Sequence, residues 1–304
     1  MEKLLLGGVL PGSAIALGCM RMAALDDKTA EKVIHTALEN GIDFFDHADI
    51  YGGGKSEEIF GRVLKNNPGL REKIVVQGKC GICKGYYDAS KEHILEATDG
   101  ILKRLGVDYL DSLLLHRPDA LMEPEEVVEA FETLHRAGKV RYFGVSNENA
   151  AQLALLNRYM PNKLIINQLQ FSMAHTGLVD AGVNVNIHSD HAVVRDGGVL
   201  DYCRLHDITI QAWSPFQYGM FEGVFLGSDK YPELNAEIQK VAKDRGVTDS
   251  AIAVAWILRH PAKIQTIIGS MNPTRIADIA KAQNVCLTRQ EWYRLYLAAG
   301  NPLP

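Results

Sequence analysis

The chain has 304 residues, of which 47% are hydrophobic and 23% charged, and this ordinary globular composition excludes a disordered or collagen-like chain. Its 32 basic and 37 acidic side chains give a net charge of −5, which argues against non-specific nucleic-acid binding. With five cysteines, no signal-peptide pattern and no apolar run of roughly 18 residues, we expect a cytoplasmic protein that binds neither nucleic acid nor membrane.

Short apolar runs alternate with amphipathic helical patterns along the chain. The runs are continuous rather than alternating, which is typical of strands buried on both faces of a parallel sheet. Residues of the N-cap type and glycines that follow the last turn, such as Ser90 and Gly106, indicate where helices begin and end. The predicted strands cover residues 16–20, 42–46, 73–79, 109–116, 141–146, 164–171, 208–213 and 265–269, and the predicted helices cover 29–40, 90–105, 124–137, 149–159, 199–206, 233–245 and 274–283.

This alternation of eight predicted strands with helical patterns predicts a single (β/α)8 TIM barrel, as one domain over residues 1–304. A doubly wound sheet is the second possibility, but no GxGxxG motif follows an early strand. Two long segments, 172–198 and 214–232, each follow a predicted strand. Such long βα-loops are predicted to shape the active face of the barrel.

Polar side chains stand at the ends of the predicted strands, where barrel enzymes carry their catalytic groups. Each has a structural explanation when taken alone, such as a helix cap, a solvent-exposed strand end or a buried hydrogen-bond partner. Their joint position at one end of one barrel indicates a functional site. The residues are Asp46, Lys79, His116, Ser146, Asn147, Gln168, Trp213, Ser214, Pro215, Gly269 and Ser270, with Tyr51 five residues after Asp46 in a glycine-rich loop.

Several sequence blocks, in order, resemble the motifs of the aldo-keto reductase family. They include FFDHADIYGGGKSEEIFG at 44–61, VVQGKCG around Lys79, DSLLLHRPD at 111–119 and GKVRYFGVSNENAAQL at 138–153. NQLQFS and QAWSPF match the next two strand ends, and the resemblance extends over residues 7–283. It implies a barrel enzyme that reduces a small-molecule aldehyde or ketone by hydride transfer from NADPH.

The resemblance also implies a role for each catalytic candidate. Tyr51 would protonate the carbonyl oxygen, and the ammonium of Lys79 would lower the otherwise high pKa of this phenol. Asp46 would pair with Lys79 and keep it charged. His116 would hydrogen-bond the carbonyl oxygen beside Tyr51.

The remaining candidates resemble the cofactor-binding residues of the family. Ser146, Asn147 and Gln168 would hold the nicotinamide carboxamide, while Trp213 takes the place of a stacked aromatic ring, where Tyr is usual. Ser214 and Pro215 would start the pyrophosphate loop, and Gly269, Ser270 and Arg275 would contact the 2′-phosphate end. Many members have Lys where this chain has Gly269, so we expect a moderate preference for NADPH over NADH.

The sequence is also compatible with other functions. A Schiff-base aldolase could use Lys79 as its nucleophile, and a regulatory or scaffold relative could bind the cofactor with slow turnover. Cys80 and Cys83 have the spacing of a redox pair or half a zinc site, but without a second such motif we expect them to pack. The ligand-type residues of segment 172–198 match no zinc spacing, so no metal is predicted.

Overall fold

Eight parallel strands close into a barrel in the computed structural model, which describes residues 3–304. Going around the barrel the order is β3, β4, β5, β8, β9, β10, β11 and β12, with β12 pairing back onto β3. These strands are Ile15–Gly18, Phe44–Asp46, Val75–Cys80, Leu110–Leu115, Val140–Ser146, Ile166–Gln170, Thr209–Trp213 and Gln265–Ile268. The TIM-barrel prediction is therefore confirmed; residues 1 and 2, which the single-domain prediction also includes, lie outside the described residues.

Helices connect successive barrel strands and cover the barrel. Their ends follow local chemistry: Asp26 caps α1, Ser90 caps α3, and Asn149 and Thr288 form capping boxes at α5 and α11. The helices are α1 Asp27–Glu39, α2 Lys55–Asn66, α3 Lys91–Leu105, α4 Pro124–Arg136, α5 Ala150–Tyr159, α6 Gly177–Val183, α7 Val199–Leu205, α8 Pro232–Arg245, α9 Asp249–Leu258, α10 Pro273–Ala280 and α11 Arg289–Ala298. Within residues 3–304, no helix combines the length and hydropathy needed to cross a bilayer.

The structure contains helices and hairpins that the sequence patterns did not delineate. Helix α9 is buried along almost its entire length, so it lacks the polar face on which a helical period depends. Helices α2, α6 and α11 were also not delineated, and α6 lies inside the predicted loop 172–198. Two antiparallel hairpins lie outside the barrel: β1 Leu4–Leu6 with β2 Leu10–Gly12, and β6 Ile82–Cys83 with β7 Tyr86–Tyr87.

The N-terminal hairpin closes the lower end of the barrel. Leu6 and Leu10 are buried together with Phe44, Val75 and Ile166, the first residues of three barrel strands. Gly7 makes the turn possible, since its φ of +57° favours glycine and a Cβ there would lie 2.3 Å from a side-chain carbon of Ile165. The functional site is therefore left to the opposite, C-terminal end.

A layer of buried amides lies between this apolar plug and the barrel mouth. Gln77 Nε2 donates to Gln211 Oε1 at 2.9 Å, and Gln211 Nε2 donates to Gln265 Oε1 at 2.7 Å. Ser112 and Gln168 also bond into this layer. Side chains from alternate strands commonly form such layers inside a TIM barrel, and here the layer supports the carboxylate of Asp46 from below through Gln77.

Candidate active site

The four candidate catalytic residues come from three neighbouring strands and meet at the barrel mouth. Asp46 is the last residue of β4, Lys79 the penultimate residue of β5, and His116 follows β8 directly. Tyr51 lies in the turn after β4, where its N–H donates to the carbonyl of Ala48. Because parallel strands end on the same side of a barrel, residues distant in sequence become neighbours here.

Lys79 and Asp46 form a buried ion pair. The Nζ of Lys79 is 2.5 Å from Oδ1 of Asp46, and the two side chains are 0% and 3% exposed. Gln77 and Gln168 also donate to this oxygen, at 2.6 and 3.2 Å. Burial acts to lower the pKa of Lys79, but Asp46 and the nearby Tyr51 outweigh it, so the pKa is raised and the ammonium stays charged.

Tyr51 stands directly against this ion pair. The Nζ of Lys79 is 5.1 Å from the centre of the Tyr51 ring. Burial raises the pKa of Tyr51 to about 12, although Lys79 acts in the lowering direction. The lowering effect predicted for Lys79 is present, but desolvation of the phenolate outweighs the attraction of one ammonium that is already paired. The phenol remains protonated throughout the neutral range.

His116 forms the other side of the same corner. Its ring lies edge-on to that of Tyr51, with 6.0 Å between the centroids. Burial first, and then the nearby Lys79 and Arg117, hold the pKa of His116 well below its usual range, so the imidazole is neutral at neutral pH. Among the described residues its Nδ1 has no hydrogen-bond partner.

Beside this corner, the ends of β9, β10 and β11 carry a connected set of polar side chains. Trp213 Nε1 donates to Asn147 Oδ1 at 3.1 Å, and Asn147 Nδ2 donates to Ser146 Oγ at 2.8 Å. Ser146 in turn donates to the carbonyl of Gln168. Asn147 and Ser214 have φ values of 64° and 51°, a strained region for such residues that is common at functional sites.

The last predicted group lies after β12. Ser270 Oγ accepts from the N–H of Asn272, which caps α10 by accepting from the N–H of Arg275. Asp278 pairs with Lys281 at 2.7 Å, and the guanidinium of Arg275 has no ion-pair or hydrogen-bond partner among residues 3–304. The structure therefore leaves an exposed cation in the first turn of the helix that follows the barrel mouth.

A cavity of about 640 Å³ opens at this mouth. The ten predicted residues that line it are Asp46, Tyr51, His116, Ser146, Asn147, Gln168, Trp213, Ser214, Pro215 and Gly269. Lys79 lies behind Asp46 rather than in the wall, and Ser270 and Arg275 follow Gly269 outside it. The structure thus brings the candidates together in one cavity and its immediate surroundings.

Segment 214–232 contributes to this cavity, whereas segment 172–198 does not. Phe216, Gln217 and Met220 line the wall. Among the described residues of 172–198, none does; several of them line a separate groove together with α11. Both long segments follow the C-terminal ends of barrel strands, as expected for loops of the active face, and the second of them lines the cavity.

Two arginines in the site were missed by sequence reasoning. Arg21 lines the cavity and donates to the carbonyl of Gly269 at 3.3 Å. Arg117 lies with its guanidinium carbon 5.8 Å from the centre of the Trp213 ring. Arg117 could have been predicted to lie in the site because it directly follows His116. Arg21 could not, because it lies in a 3-10 turn after the first barrel strand, β3, and no sequence pattern indicated this turn. Gln77 and Gln211, which support Asp46 from below, were missed as well.

Comparisons with known proteins agree with this geometry. The profile of the aldo/keto reductase family matches residues 14–296. The chain belongs to the aldo/keto reductase family. It is 36% identical to 6-dehydroglucose reductase of Agrobacterium fabrum over 98% of each chain. It is also 36% identical to the oxidoreductase YdhF of Escherichia coli, over 88% of this chain and 86% of that one.

The fold of this family member is also similar to solved structures. An aldo-keto reductase of Klebsiella pneumoniae, crystallised in complex with NADPH, superimposes with a TM-score of 0.78 at 24% sequence identity. The match covers 99% of this chain and 96% of that one. The (β/α)8 architecture of the aldo/keto reductase is thus supported by the strand order, by the family profile and by a solved relative.

Proposed function

We propose that the chain is an NADPH-dependent carbonyl reductase in which Tyr51 donates the proton to the substrate oxygen. The observation that carries this proposal is the corner formed by Tyr51 and His116 in one cavity wall, with the Lys79–Asp46 pair directly behind it. A protonated phenol and a neutral imidazole both donate hydrogen bonds, so a carbonyl oxygen at this corner can be polarised and then protonated.

The polar groups around the cavity fit a reduced nicotinamide dinucleotide. Bound there, this cofactor would supply the hydride. Ser146, Asn147 and Gln168 offer amide and hydroxyl groups suited to a carboxamide, and Trp213 presents an aromatic ring beside them. For the adenosine end of the cofactor, the unpaired guanidinium of Arg275 and the N-terminus of α10 suit a phosphate.

The substrate class that we infer is a small hydroxylated aldehyde, such as a sugar aldehyde. One relative at 36% identity carries the name 6-dehydroglucose reductase. In this chain, Arg21, Arg117 and Gln217 add polar donors to the cavity wall, and such donors suit hydroxyl groups. A substrate of this class would place its aldehyde at the Tyr51 corner.

The competing functions receive less support from the same geometry. A Schiff-base lysine needs an accessible amine with a lowered pKa. Lys79 is instead fully buried and paired with Asp46, and its pKa is raised. A regulatory relative with slow turnover would not require the phenol, imidazole and ion pair to stand together, yet all of them are present here.

The test is a panel of aldehydes, ketones and sugar aldehydes followed by NADPH absorbance. Tyr51→Phe should lower kcat by about 10²–10⁴-fold, the usual contribution of general acid catalysis, while NADPH binding changes little. Tyr159→Phe is the matched control, because Tyr159 lies at the end of α5 outside the cavity and is 43% exposed; it should retain wild-type turnover. Near-wild-type turnover by Tyr51→Phe would contradict the assignment of the proton donor.

A further inference from the structure

Three side chains with metal-binding groups meet beside the hairpin β6–β7. Cys83 ends β6, Asp88 follows β7, and His93 lies in the first turn of α3. Their sulfur, carboxylate and imidazole atoms all lie within 4.8 Å of one another. The Sγ of Cys83 is 4.0 Å from Nε2 of His93, and all three residues are partly buried. The proposed carbonyl reduction uses none of them.

We propose that Cys83, Asp88 and His93 bind a zinc-type divalent ion, with water in the fourth position. Thiolate, imidazole and carboxylate are the ligand types that Zn²⁺ takes, and three protein ligands plus water form a complete tetrahedral set. In a tetrahedral set with Zn–S of about 2.3 Å and Zn–N of about 2.1 Å, the sulfur and nitrogen atoms are about 3.6 Å apart. The three ligand atoms, which lie within 4.8 Å of one another, would approach by up to about 1 Å through side-chain rotation, and binding would release the Cys83 thiol proton to solvent.

Ser90 orients the carboxylate of Asp88 and fixes the backbone of His93. Ser90 caps α3, and its N–H donates to Oδ1 of Asp88 at 2.9 Å while its Oγ accepts from the N–H of His93 at 3.3 Å. Outer contacts of this kind orient ligands and strengthen metal binding.

The partner of Cys83 is thus not the cysteine that the CxxC spacing indicates. Cys80 is fully buried in β5, and burial raises the pKa of its thiol, which keeps it protonated. The hairpin β6–β7 instead folds back so that Asp88 and His93 approach Cys83. The CxxC spacing therefore does not predict the group formed by Cys83, Asp88 and His93.

The proposed site is adjacent to the wall of the active-site cavity. Ile82 and Tyr87 line that cavity, and they are the immediate neighbours of Cys83 and Asp88. An ion held at this position would tie both strands of the hairpin to the start of α3. It would therefore stiffen one side of the substrate entrance.

The first experiment is a titration of the purified protein with Co²⁺ alone, followed by displacement with Zn²⁺. Wild type should show one equivalent of Co²⁺ with thiolate-to-cobalt charge-transfer absorption. Cys83→Ser should abolish this absorption, and Cys83→Ser and His93→Gln should each weaken Zn²⁺ binding by about tenfold or more. Cys286→Ser and His188→Gln alter exposed residues elsewhere and should leave the absorption unchanged.

The absence of stoichiometric binding by wild type, or an unchanged spectrum in Cys83→Ser, would overturn the proposal. Circular dichroism checks folding, and Asp88→Asn provides a further ligand variant should Cys83→Ser not fold. A second arm measures KM for the carbonyl substrate with and without Zn²⁺, and only this arm rests on the proposed reductase function. The spectroscopic result stands whether or not the chain turns over any substrate tested.

Discussion

Lys79 is a long cation with 0% of its side chain exposed, and Asp46 is the partner that keeps its charge. Three donors, from Lys79, Gln77 and Gln168, converge on the single oxygen Oδ1 of Asp46. An ion pair at this depth is fixed in position because losing either partner would leave an uncompensated buried charge. Its charge can therefore act on Tyr51 without reorganisation.

If Lys79 acts through Tyr51, the two residues should behave as one unit. Lys79→Met should lower kcat about as much as Tyr51→Phe, by about 10²–10⁴-fold, and the double variant should be no slower than either single variant. In Lys79→Met the pKa of Tyr51 should rise further, since Lys79 acts in the lowering direction. Steady-state kinetics of the double-mutant cycle measure the coupling.

The control for this cycle is Lys91→Met, which removes a partly exposed lysine paired with Glu129 and should leave kcat unchanged. Circular dichroism must show that each variant is folded, because an unpaired Asp46 costs stability. Independent, additive losses in the double variant would show that Lys79 and Tyr51 do not act together.

At the scale of elements, helix α10 follows the barrel mouth and presents its N-terminus and Arg275 on the same side. The N-cap Asn272 satisfies one backbone donor, while Asp278 is occupied by Lys281. Arg275 therefore does not pair with Asp278, the acidic residue three positions further along the helix. A guanidinium without a partner can contact a phosphate bidentately.

Arg275→Ala should raise KM for NADPH by about 10–200-fold, the range for one discriminating contact, and change KM for NADH little. The reason is that only NADPH carries the 2′-phosphate. Lys281→Ala, which removes the neighbouring cation that is already paired, serves as the control. Equal changes for both cofactors, or none for either, would exclude a role for Arg275 in reading this phosphate.

Helix α11 shows how a cap makes stability depend on pH. Glu291 accepts from Arg245 at 2.7 Å and from the N–H of Thr288 at 2.7 Å. Burial acts to raise its pKa, but the hydrogen bonds from Arg245 and Thr288 outweigh it and lower the pKa to about 2 from an ordinary 4.5. A depressed folded-state pKa contributes stability above the unfolded value, and this is lost as pH falls from 4.5 towards 2.

Glu291→Gln should therefore lower the free energy of unfolding by about 1 kcal/mol at pH 7. The difference from wild type should shrink as the pH falls below about 4.5. Urea denaturation at several pH values measures this difference. Glu233→Gln at the start of α8 is the control, because Glu233 has no ion pair among the described residues. A difference that is constant with pH would show that the charge of Glu291 is not responsible.

At the scale of the whole molecule, the barrel separates the apolar plug at its lower end from the proposed active site at its mouth. The hairpin β1–β2 closes the lower end with Leu6 and Leu10, and the glutamine layer lies between this plug and Asp46. The two ends are connected through a rigid barrel, but they share no side chain. Changes at the plug should therefore affect folding more than turnover.

Leu6→Ala should lower the free energy of unfolding by about 2–5 kcal/mol, the usual cost of a large-to-small core change, while kcat/KM at 25 °C stays near wild type. Leu5→Ala is the matched control, since Leu5 precedes Leu6 on the same strand and is 55% exposed. This substitution should change the free energy of unfolding little. Denaturant melts and kinetics on the same samples provide the measurement, and a parallel loss of kcat/KM and stability would contradict the separation.

The barrel and the order of its strand ends were readable from the sequence because they depend on local patterns. Continuous apolar runs, capping residues and terminal glycines are short-range signals, and each predicted strand lies within about two residues of an observed one at either end. Since parallel strands must end on the same side, the positions of Asp46, Lys79 and His116 at one mouth follow from those patterns. The catalytic roles proposed for them rest on the resemblance to a family and not on the patterns.

Only the tertiary structure decided the properties that depend on distant neighbours and on burial. The pKa of Tyr51 is the clearest case, because the sequence shows that Lys79 is available but not that desolvation outweighs it. The glutamine layer beneath Asp46, the approach of Arg21 to Gly269 and the meeting of Cys83 with His93 likewise join segments that no local period connects. Solvation and long-range contact arise only when the chain is closed into a barrel, so they could not be predicted from the order of its residues.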